Sequence, residues 1–322
     1  MTNMPSSRDL TLLIFTRNNL DRLEPLINST LWIQDRIAVD MQSTDGTAEK
    51  LQDAGFGIHA IQPEVFVDEL RNRYLSLPKT PWTLILDSDE FLSEDSEEQI
   101  YELIASAEES DVGFSIPRHN YFCGKKLMGS GWYPDHQLRL FRTNQIVYSP
   151  GHHVPPKPKE KISNIRVLEA PSCLHIHHAN YATIEEFLSR QLHYAKTDVY
   201  NSEPKSFNFD DYMLKAINQF NKRSQTRDDG QISYVTGLVM YWDEIVRGLI
   251  HWERTGYQGH LSEHIPNQVF LRHEISRQHN DLSDLENVHN EYRNSRSWQI
   301  TAPLRALNSL VKAVMQIRQS KS

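Results

Sequence analysis

The first third of the chain alternates short apolar runs with amphipathic stretches. Residues 10–15 predict a buried strand, and residues 20–31 predict a helix. The alternation predicts further strands at residues 36–40, 57–61 and 82–86, with helices at residues 47–54 and 67–77. Strands separated by helices form a parallel sheet covered on both faces. We therefore predict an α/β fold with a mostly parallel sheet.

The pattern changes twice farther along the chain. Residues 112–117 predict another strand, and recurring Pro and Gly up to about residue 170 predict loops and short strands over one edge of the sheet. Helical spacing then predicts helices at residues 183–196 and 237–254. We expect three segments: a sheet domain over residues 1–180, a mainly helical region over 181–280 and a tail over 281–322.

Composition excludes several classes of protein. Apolar residues make up 39% of the chain and charged residues 24%, which allows a packed core. The net charge of -8 opposes binding to nucleic acid. No apolar run approaches the roughly 20 residues of a membrane span, and the N-terminus lacks a signal-peptide core, so we expect a cytoplasmic protein. Its two cysteines, Cys123 and Cys173, are then expected to stay reduced.

Three polar clusters follow predicted strands. They are Thr16-Arg17-Asn18, Asp40 with the segment Ser43-Thr44-Asp45-Gly46-Thr47, and Asp87-Ser88-Asp89-Glu90. Ligands of an open parallel sheet bind beyond the carboxyl ends of its strands, and these ends share one edge. We therefore expect the three clusters to form one site.

The acidic cluster is the strongest candidate for metal binding. In an extended segment Asp87 and Asp89 point the same way. Two carboxylates about 4 Å apart repel by about 4 kcal/mol at an effective dielectric of 20, and a divalent cation removes that repulsion. Oxygen ligands that are shared with phosphate favour Mg²⁺ or Mn²⁺. The alternative is an acidic turn exposed to solvent.

Other motifs keep two readings each. The segment 43–47 could receive an anion at the following helix or could simply cap that helix. Residues 131–136, Gly-Trp-Tyr-Pro-Asp-His, could bind a sugar face and supply Asp135 as a general base, or could form an aromatic turn on the core. One histidine among His152, His153, His175, His177 and His178 could complete a metal site, whereas most of them would be structural.

Together these motifs resemble the inverting family-2 glycosyltransferases of the GT-A fold, which is Rossmann-like. The closest likeness is the bacterial branch related to lipopolysaccharide core β-glucosyltransferases. Five motifs occur in the family's order over about residues 10–190: Thr16-Arg17-Asn18, Val39-Asp40 with Ser43 to Thr47, Arg71-Asn72, Asp87-Ser88-Asp89-Glu90, and Gly131 to Asp135 with Leu138-Arg139-Leu140-Phe141-Arg142. Asn19 replaces the family's usual Glu, and Met41-Gln42 replaces Ser-Gly, which leaves the nucleotide and sugar open.

The resemblance implies a role for individual residues. Nucleotide-sugar binding would fall to Thr16, Asn18, Asp40, Arg71 and Asp87. The metal would be bound by Asp87 and Asp89, with His153 or alternatively His177, and Asp135 would be the catalytic base. The implied reaction moves a hexosyl group from a nucleotide sugar, with UDP the expected nucleotide, to a glycan or glycolipid such as lipopolysaccharide core or another surface polysaccharide.

Two alternatives remain beside this reaction. A nucleotidyltransferase also places acids beyond a parallel sheet, but it would usually have a Gly-rich loop after the first strand, which residues 16–19 lack. A non-catalytic carbohydrate-binding or scaffold protein could keep a degenerate transferase fold. In the tail, an apolar stripe with basic flanks from Leu304 to Ile317 would suit peripheral contact with the inner membrane surface, or an oligomer or core helix equally well.

Overall fold

The computed structural model describes residues 9–63, 67–149, 155–160, 163–171, 173–201 and 207–255. The strands are β1 (Leu10–Thr16), β2 (Asp35–Asp40), β3 (Gly57–Ala60), β4 (Trp82–Asp87), β5 (Glu90–Leu92), β6 (Asp111–Phe122), β7 (Lys125–Lys126), β8 (Asp135–Arg142), β9 (Ile146–Val147), β10 (Lys157–Pro158), β11 (Asn164–Val167) and β12 (Ile176–Tyr181). The helices are α1 (Leu23–Ser29), α2 (Thr47–Asp53), α3 (Val67–Tyr74), α4 (Ser96–Ala105), α5 (Ile184–Asn201), α6 (Phe209–Ser224) and α7 (Gln231–Thr255).

A mixed sheet forms the centre of the molecule, in the order β3-β2-β1-β4-β8-β6-β12-β5. The first four strands in this order are parallel, as the sequence predicted. Beyond β4 the sheet is mixed, because β8 runs antiparallel to both β4 and β6. Residues 123–134 join β6 to β8 without a helix, and a connection of this kind returns the chain antiparallel. The predicted α/β class and the helical C-terminal region are both confirmed.

Strand β1 is buried along its whole length because helices cover both faces of the sheet. Its side chains alternate between two apolar clusters. Leu12 and Ile14 pack on the side of α1, α2 and α4, whereas Leu13 and Phe15 pack on the side of α3. This two-sided burial fixes the register of β1, so the polar residues that follow Thr16 emerge at one edge.

The helical region packs on the C-terminal end of β6. Phe122, Leu127, Phe187 and Val239 form a third buried cluster, which brings together β6, α5 and α7. Helices α6 and α7 approach closely at Gly248, where an added Cβ would lie 2.9 Å from Cγ of Tyr212. Neither α4 nor α6 was predicted from the sequence, whereas the predictions at residues 183–196 and 237–254 correspond to α5 and α7.

Several sequence predictions fall outside the described residues. They are the candidate histidines His152 and His153, residues 256–280 of the predicted helical region, and the tail over residues 281–322. Among the helices that the structure does describe, none combines the length and the apolar character that crossing a bilayer requires.

Candidate functional site

The carboxyl ends of β1 and β2 meet around Asp40, which is 3% exposed. The Asp40 carboxylate accepts hydrogen bonds from the Ser43 hydroxyl at 2.5 Å and the Ser43 N–H at 3.0 Å. Asn18 donates its N–H to the Ser43 hydroxyl and accepts from the N–H of Thr44. The Thr16 hydroxyl is buried beside them and has no hydrogen-bond partner among the described residues. The structure therefore brings together Thr16, Asn18 and Asp40, as the sequence predicted.

The turn after Asp40 is capped by its own side chains. The Asp45 carboxylate accepts from the N–H of Thr47 at 3.0 Å and from its hydroxyl at 2.7 Å. Asp45 therefore accepts the first backbone N–H of helix α2, which begins at Thr47, whereas the N-cap residue Gly46 has no side chain to do so. This contact agrees with the capping interpretation of the segment. Asn19 bridges this turn to the acidic cluster, since its amide donates to the Ser88 hydroxyl at 2.8 Å.

Asp87, at the end of β4, lies between two arginines. One carboxylate oxygen accepts from Arg71 and the other accepts from Arg139 at 2.5 Å. Burial opposes ionisation of Asp87, but the positive charges of Arg139 and Arg71 outweigh it and hold the pKa of this carboxyl far below its ordinary range. Asp87 is therefore a carboxylate in the folded protein.

Glu90 extends this contact into a chain of alternating charges. Its side chain is fully buried, and Oε1 accepts from Arg139 at 2.8 Å and from Arg118 at 2.6 Å. The other oxygen, Oε2, accepts the backbone N–H of Asp87. An ion-pair chain therefore runs from the carboxyl end of β4 to Asp135, the candidate base, in the order Arg71, Asp87, Arg139, Glu90, Arg118, Asp135.

Asp135 begins β8, and its two oxygens differ in their partners. Oδ2 accepts three hydrogen bonds, two from Arg118 at 2.6 and 2.9 Å and one from Asn120 at 3.0 Å. Oδ1 accepts one, from Gln137 at 2.8 Å. Burial raises the pKa of Asp135, but the charge of Arg118 and the hydrogen bonds from Arg118, Asn120 and Gln137 lower it by a larger amount. The net pKa therefore lies below the ordinary value. Oδ1 is the oxygen with a lone pair left for a substrate.

Asp89 faces His178 across the same edge. His178 Nε2 lies 3.5 Å from Asp89 Oδ1, and an Arg190 nitrogen lies 3.7 Å from Oδ2. Burial opposes the charge of Asp89, whereas the neighbouring His178 lowers its pKa, and the net pKa is lowered. Within the described ranges no set of three acidic, His or Cys side chains is placed to bind a metal ion. The pair of Asp89 and His178 is nevertheless spaced to share one cation, since two bonds of about 2.1 Å span up to about 4.2 Å.

His177 points to the opposite face of β12. Its ring stacks on Phe91 with centroids 5.0 Å apart, and its Nδ1 is 3.0 Å from the Tyr121 hydroxyl. Successive residues of a strand alternate between faces, so His177 and His178 cannot both reach Asp89. The sequence proposed His177 as the alternative metal ligand, whereas the structure places His178 beside Asp89.

The loop that leads to Asp135 is attached to the turn between α6 and α7. The backbone N–H groups of Met128 and Gly129 both donate to the carboxylate of Asp229, at 2.5 and 3.2 Å. The buried hydroxyls of Ser130 and Ser233 are hydrogen-bonded at 2.7 Å. The helical region therefore positions the segment that precedes the candidate base.

Trp132 is only partly available for stacking. The guanidinium of Arg223 lies 5.1 Å from the ring centroid, and the indole also packs against the third apolar cluster. Its carbonyl accepts from the Asn120 amide at 3.0 Å. The interpretation of residues 131–136 as an aromatic turn on the core therefore holds for Trp132.

Arg118, Asn120 and Arg139 are site residues for which sequence reasoning gave no role. Arg118 and Asn120 stand two positions apart in β6, and a buried strand rarely contains two such residues without partners. Their spacing of two was the available signal, because it places both on one face.

No family model matches the chain. It is similar to the solved structure of S. aureus TarS 1-349 in complex with UDP-GlcNAc, at 16% identity over 76% of this chain and 87% of that one, with a TM-score of 0.39. A mannosyltransferase, PcManGT from Pyrobaculum calidifontis in complex with GDP-Man and Mn²⁺, matches at 11% identity over 94% and 86%, with a TM-score of 0.40. Glucosyl-3-phosphoglycerate synthase from Mycobacterium tuberculosis, solved with Mn²⁺ and UDP, matches at 16% identity over 35% and 44%, with a TM-score of 0.29. Sequence identity is low in all three, so residue roles follow from this chain's own contacts.

Proposed function

We propose that this chain is a metal-dependent inverting glycosyltransferase that moves a sugar from a nucleotide sugar, UDP-linked, to a glycan or glycolipid acceptor. One observation supports this most: Asp89 and His178, which are spaced to share a cation, lie on the same edge as Asp135, whose Oδ1 accepts a single hydrogen bond, from Gln137, and keeps a lone pair for a substrate. A diphosphate leaving group needs the first feature, and an acceptor hydroxyl needs the second.

The donor would lie along the carboxyl ends of β1, β2 and β4. Asp40, Thr16 and Asn18 would receive the nucleoside, and Arg71 and Asp87 would lie toward the ribose and diphosphate. The buried hydroxyl of Thr16 without a partner agrees with a polar group arriving there.

Mg²⁺ or Mn²⁺ would be bound by Asp89 together with His178. His178 Nδ1 lies 2.8 Å from Asn120 Oδ1 and donates to it, so in the neutral ring the lone pair of Nε2 faces the Asp89 carboxylate. A lone pair opposite a carboxylate is repulsive unless a proton or a cation lies between them. The cation, when bound, would offset negative charge on the departing diphosphate. Asp87 is proposed on the nucleotide side, because both its oxygens already accept from arginines.

Asp135 Oδ1 would take the proton of the acceptor hydroxyl as its oxygen attacks the anomeric carbon. The bond from that carbon to the diphosphate oxygen breaks, and the diphosphate leaves with the electron pair. A single displacement of this kind inverts an α-linked donor to a β-linked product. Because the pKa of Asp135 is lowered, the base stays ionised down to acidic pH, and the rate would be lost only as pH falls through that lowered pKa.

Calorimetric titration with UDP, with and without Mn²⁺, tests the donor site. We expect metal-dependent binding that Asp89→Ala removes and that the matched exposed variant Asp53→Ala leaves unchanged. Asp135→Asn should bind UDP normally and lower kcat for transfer by about 10²- to 10⁴-fold. Loss of UDP binding in Asp135→Asn would refute its role as base. Failure of UDP and other nucleoside diphosphates to bind at all would favour a non-catalytic scaffold.

A further inference from the structure

Asn120 lies between the two halves of the proposed site. It is 2% exposed and stands on β6, between β8 on one side and β12 on the other. Its amide nitrogen donates to Asp135 Oδ2 and to the Trp132 carbonyl, each at 3.0 Å. Its amide oxygen accepts from His178 Nδ1 at 2.8 Å. One short side chain thus touches the candidate base, the loop before it and the histidine beside Asp89.

The chemistry of these partners fixes the orientation of the amide. A carbonyl and a carboxylate can only accept, so the Asn120 nitrogen must face them, and the oxygen must face His178. The oxygen in turn requires a proton on Nδ1 of His178, so in the neutral ring Nε2 is the nitrogen that carries the lone pair. Asp at this position would lack both donors, and Ala would lack all three contacts. A rotation of the amide would break all three hydrogen bonds together.

We propose that Asn120 is a positioning residue that aligns the metal-side histidine and the base as one unit. This inference rests on the proposed function. Asn120 orients Nε2 of His178 toward Asp89 through its oxygen, and it fixes Oδ2 of Asp135 through its nitrogen, so that Oδ1 is the oxygen presented to the acceptor. Among the described residues, Asn120 is the one whose side chain is hydrogen-bonded to both His178 and Asp135. Arg118 also anchors Asp135, but its other hydrogen bond goes to Glu90 and not to His178.

The tautomer of His178 gives a test that does not depend on activity. In metal-free protein whose His178 ring is neutral, ¹⁵N NMR with the signal assigned through His178→Gln should show the ring proton on Nδ1. Asn120→Asp keeps an acceptor and should retain this tautomer, whereas Asn120→Ala should shift the population toward the Nε2-protonated form. A neutral His178 that carries its proton on Nε2 in the unmodified protein would overturn the proposal.

Kinetics provide the second readout. Asn120→Asp places a carboxylate against Asp135, so we expect kcat for transfer to fall about 100-fold while KM for the donor changes less than about threefold. Asn120→Ala should in addition weaken Mn²⁺-dependent UDP binding by about tenfold or more. The control is Asn164→Asp. Asn164 lies on β11, away from the site, and its amide also donates to an aspartate, Asp111.

The outcomes separate this inference from the proposed function. Equal losses in kcat and donor affinity in both Asn120 variants, or a similar loss in Asn164→Asp, would show a general structural effect and overturn the coupling. Thermal unfolding of each variant identifies any that fail to fold. If the unmodified protein binds no nucleoside diphosphate, the proposed function fails, and the tautomer measurement still decides whether Asn120 orients His178.

Discussion

The fully buried Glu90 should stabilise the fold by separating two arginines. In Glu90→Gln the volume is kept and one negative charge is removed. Arg118 and Arg139 both donate to Oε1, at 2.6 and 2.8 Å, so these nitrogens lie within about 5 Å of each other. Without the carboxylate, two buried guanidinium groups face each other across a neutral amide.

The size of the effect follows from that distance. Two unit charges about 5 Å apart repel by about 3 kcal/mol at an effective dielectric of 20. An amide also has a single oxygen, whereas Glu90 uses one oxygen for the arginines and the other for the N–H of Asp87. One of these donors therefore loses its acceptor, while Asp87 and Asp135 still offset part of the repulsion. We expect a net loss of about 3 kcal/mol, at the lower end of the range for breaking a buried ion pair.

Urea unfolding followed by circular dichroism measures this loss, and a thermal scan should show a melting temperature lower by about 4–5 °C. The control is Glu94→Gln, because Glu94 is exposed in the turn before α4 and should change stability by less than about 0.5 kcal/mol. A loss below about 1 kcal/mol in Glu90→Gln, with an unchanged m-value, would refute the argument that charge alternation stabilises this network.

Two further predictions concern the other face of β6 and the loop that follows it. Burial and, to a smaller extent, the neighbouring His175 lower the pKa of His119 to about 4. Near pH 6.5 the unfolded chain therefore binds a proton at His119 that the folded protein does not bind. The contribution of His119 to stability is therefore full above pH 6.5 and falls as the pH drops toward 4. Between pH 7 and pH 5, the free energy of unfolding of His119→Phe should fall by about 2 kcal/mol less than that of the unmodified metal-free protein, as measured by urea unfolding. Equal losses in the two proteins would contradict this. In Gly129→Ala the new Cβ would lie 2.2 Å from Oδ2 and 2.6 Å from Cβ of Asp228, which should destabilise the fold by about 1–3 kcal/mol. Adding Asp228→Gly should recover most of that loss in the same unfolding assay, and no recovery would point to a different cause.

The parallel part of the sheet was predictable because its signal is local. Each of β1, β2 and β4 is an apolar run that ends in polar residues, and the rule for carboxyl ends placed Thr16, Asp40 and Asp87 at one edge without any knowledge of tertiary structure. The strands that complete the sheet gave weaker signals. In β8, Arg139 stands between buried leucines, and its burial is explained by Asp87 and Glu90, which are about 50 residues away in the chain.

The partners of the candidate base could not be predicted for the same reason. The hydrogen bonds of Asp135 to Arg118 and Asn120 depend on the register between β6 and β8, which contains an irregularity between Phe114 and Ser115. A shift of one residue in that register would turn both side chains to the opposite face. Which of His177 and His178 lies beside Asp89 depends likewise on which face of the sheet each side chain of β12 occupies, and composition alone does not determine that.

The attachment of the loop before Asp135 to Asp229 has a consequence for how this protein could be rearranged. The two partners are separated by about 100 positions in the chain, yet Asp229 accepts both Met128 and Gly129 N–H groups. A protein truncated before α6 would keep every strand of the sheet but lose the acceptor for the N–H groups of Met128 and Gly129. The α/β half therefore cannot be separated from the helical region without loss of this attachment. Exchanging the helical region for that of another protein would keep this attachment only if residues 128–132 are exchanged together with the α6–α7 turn.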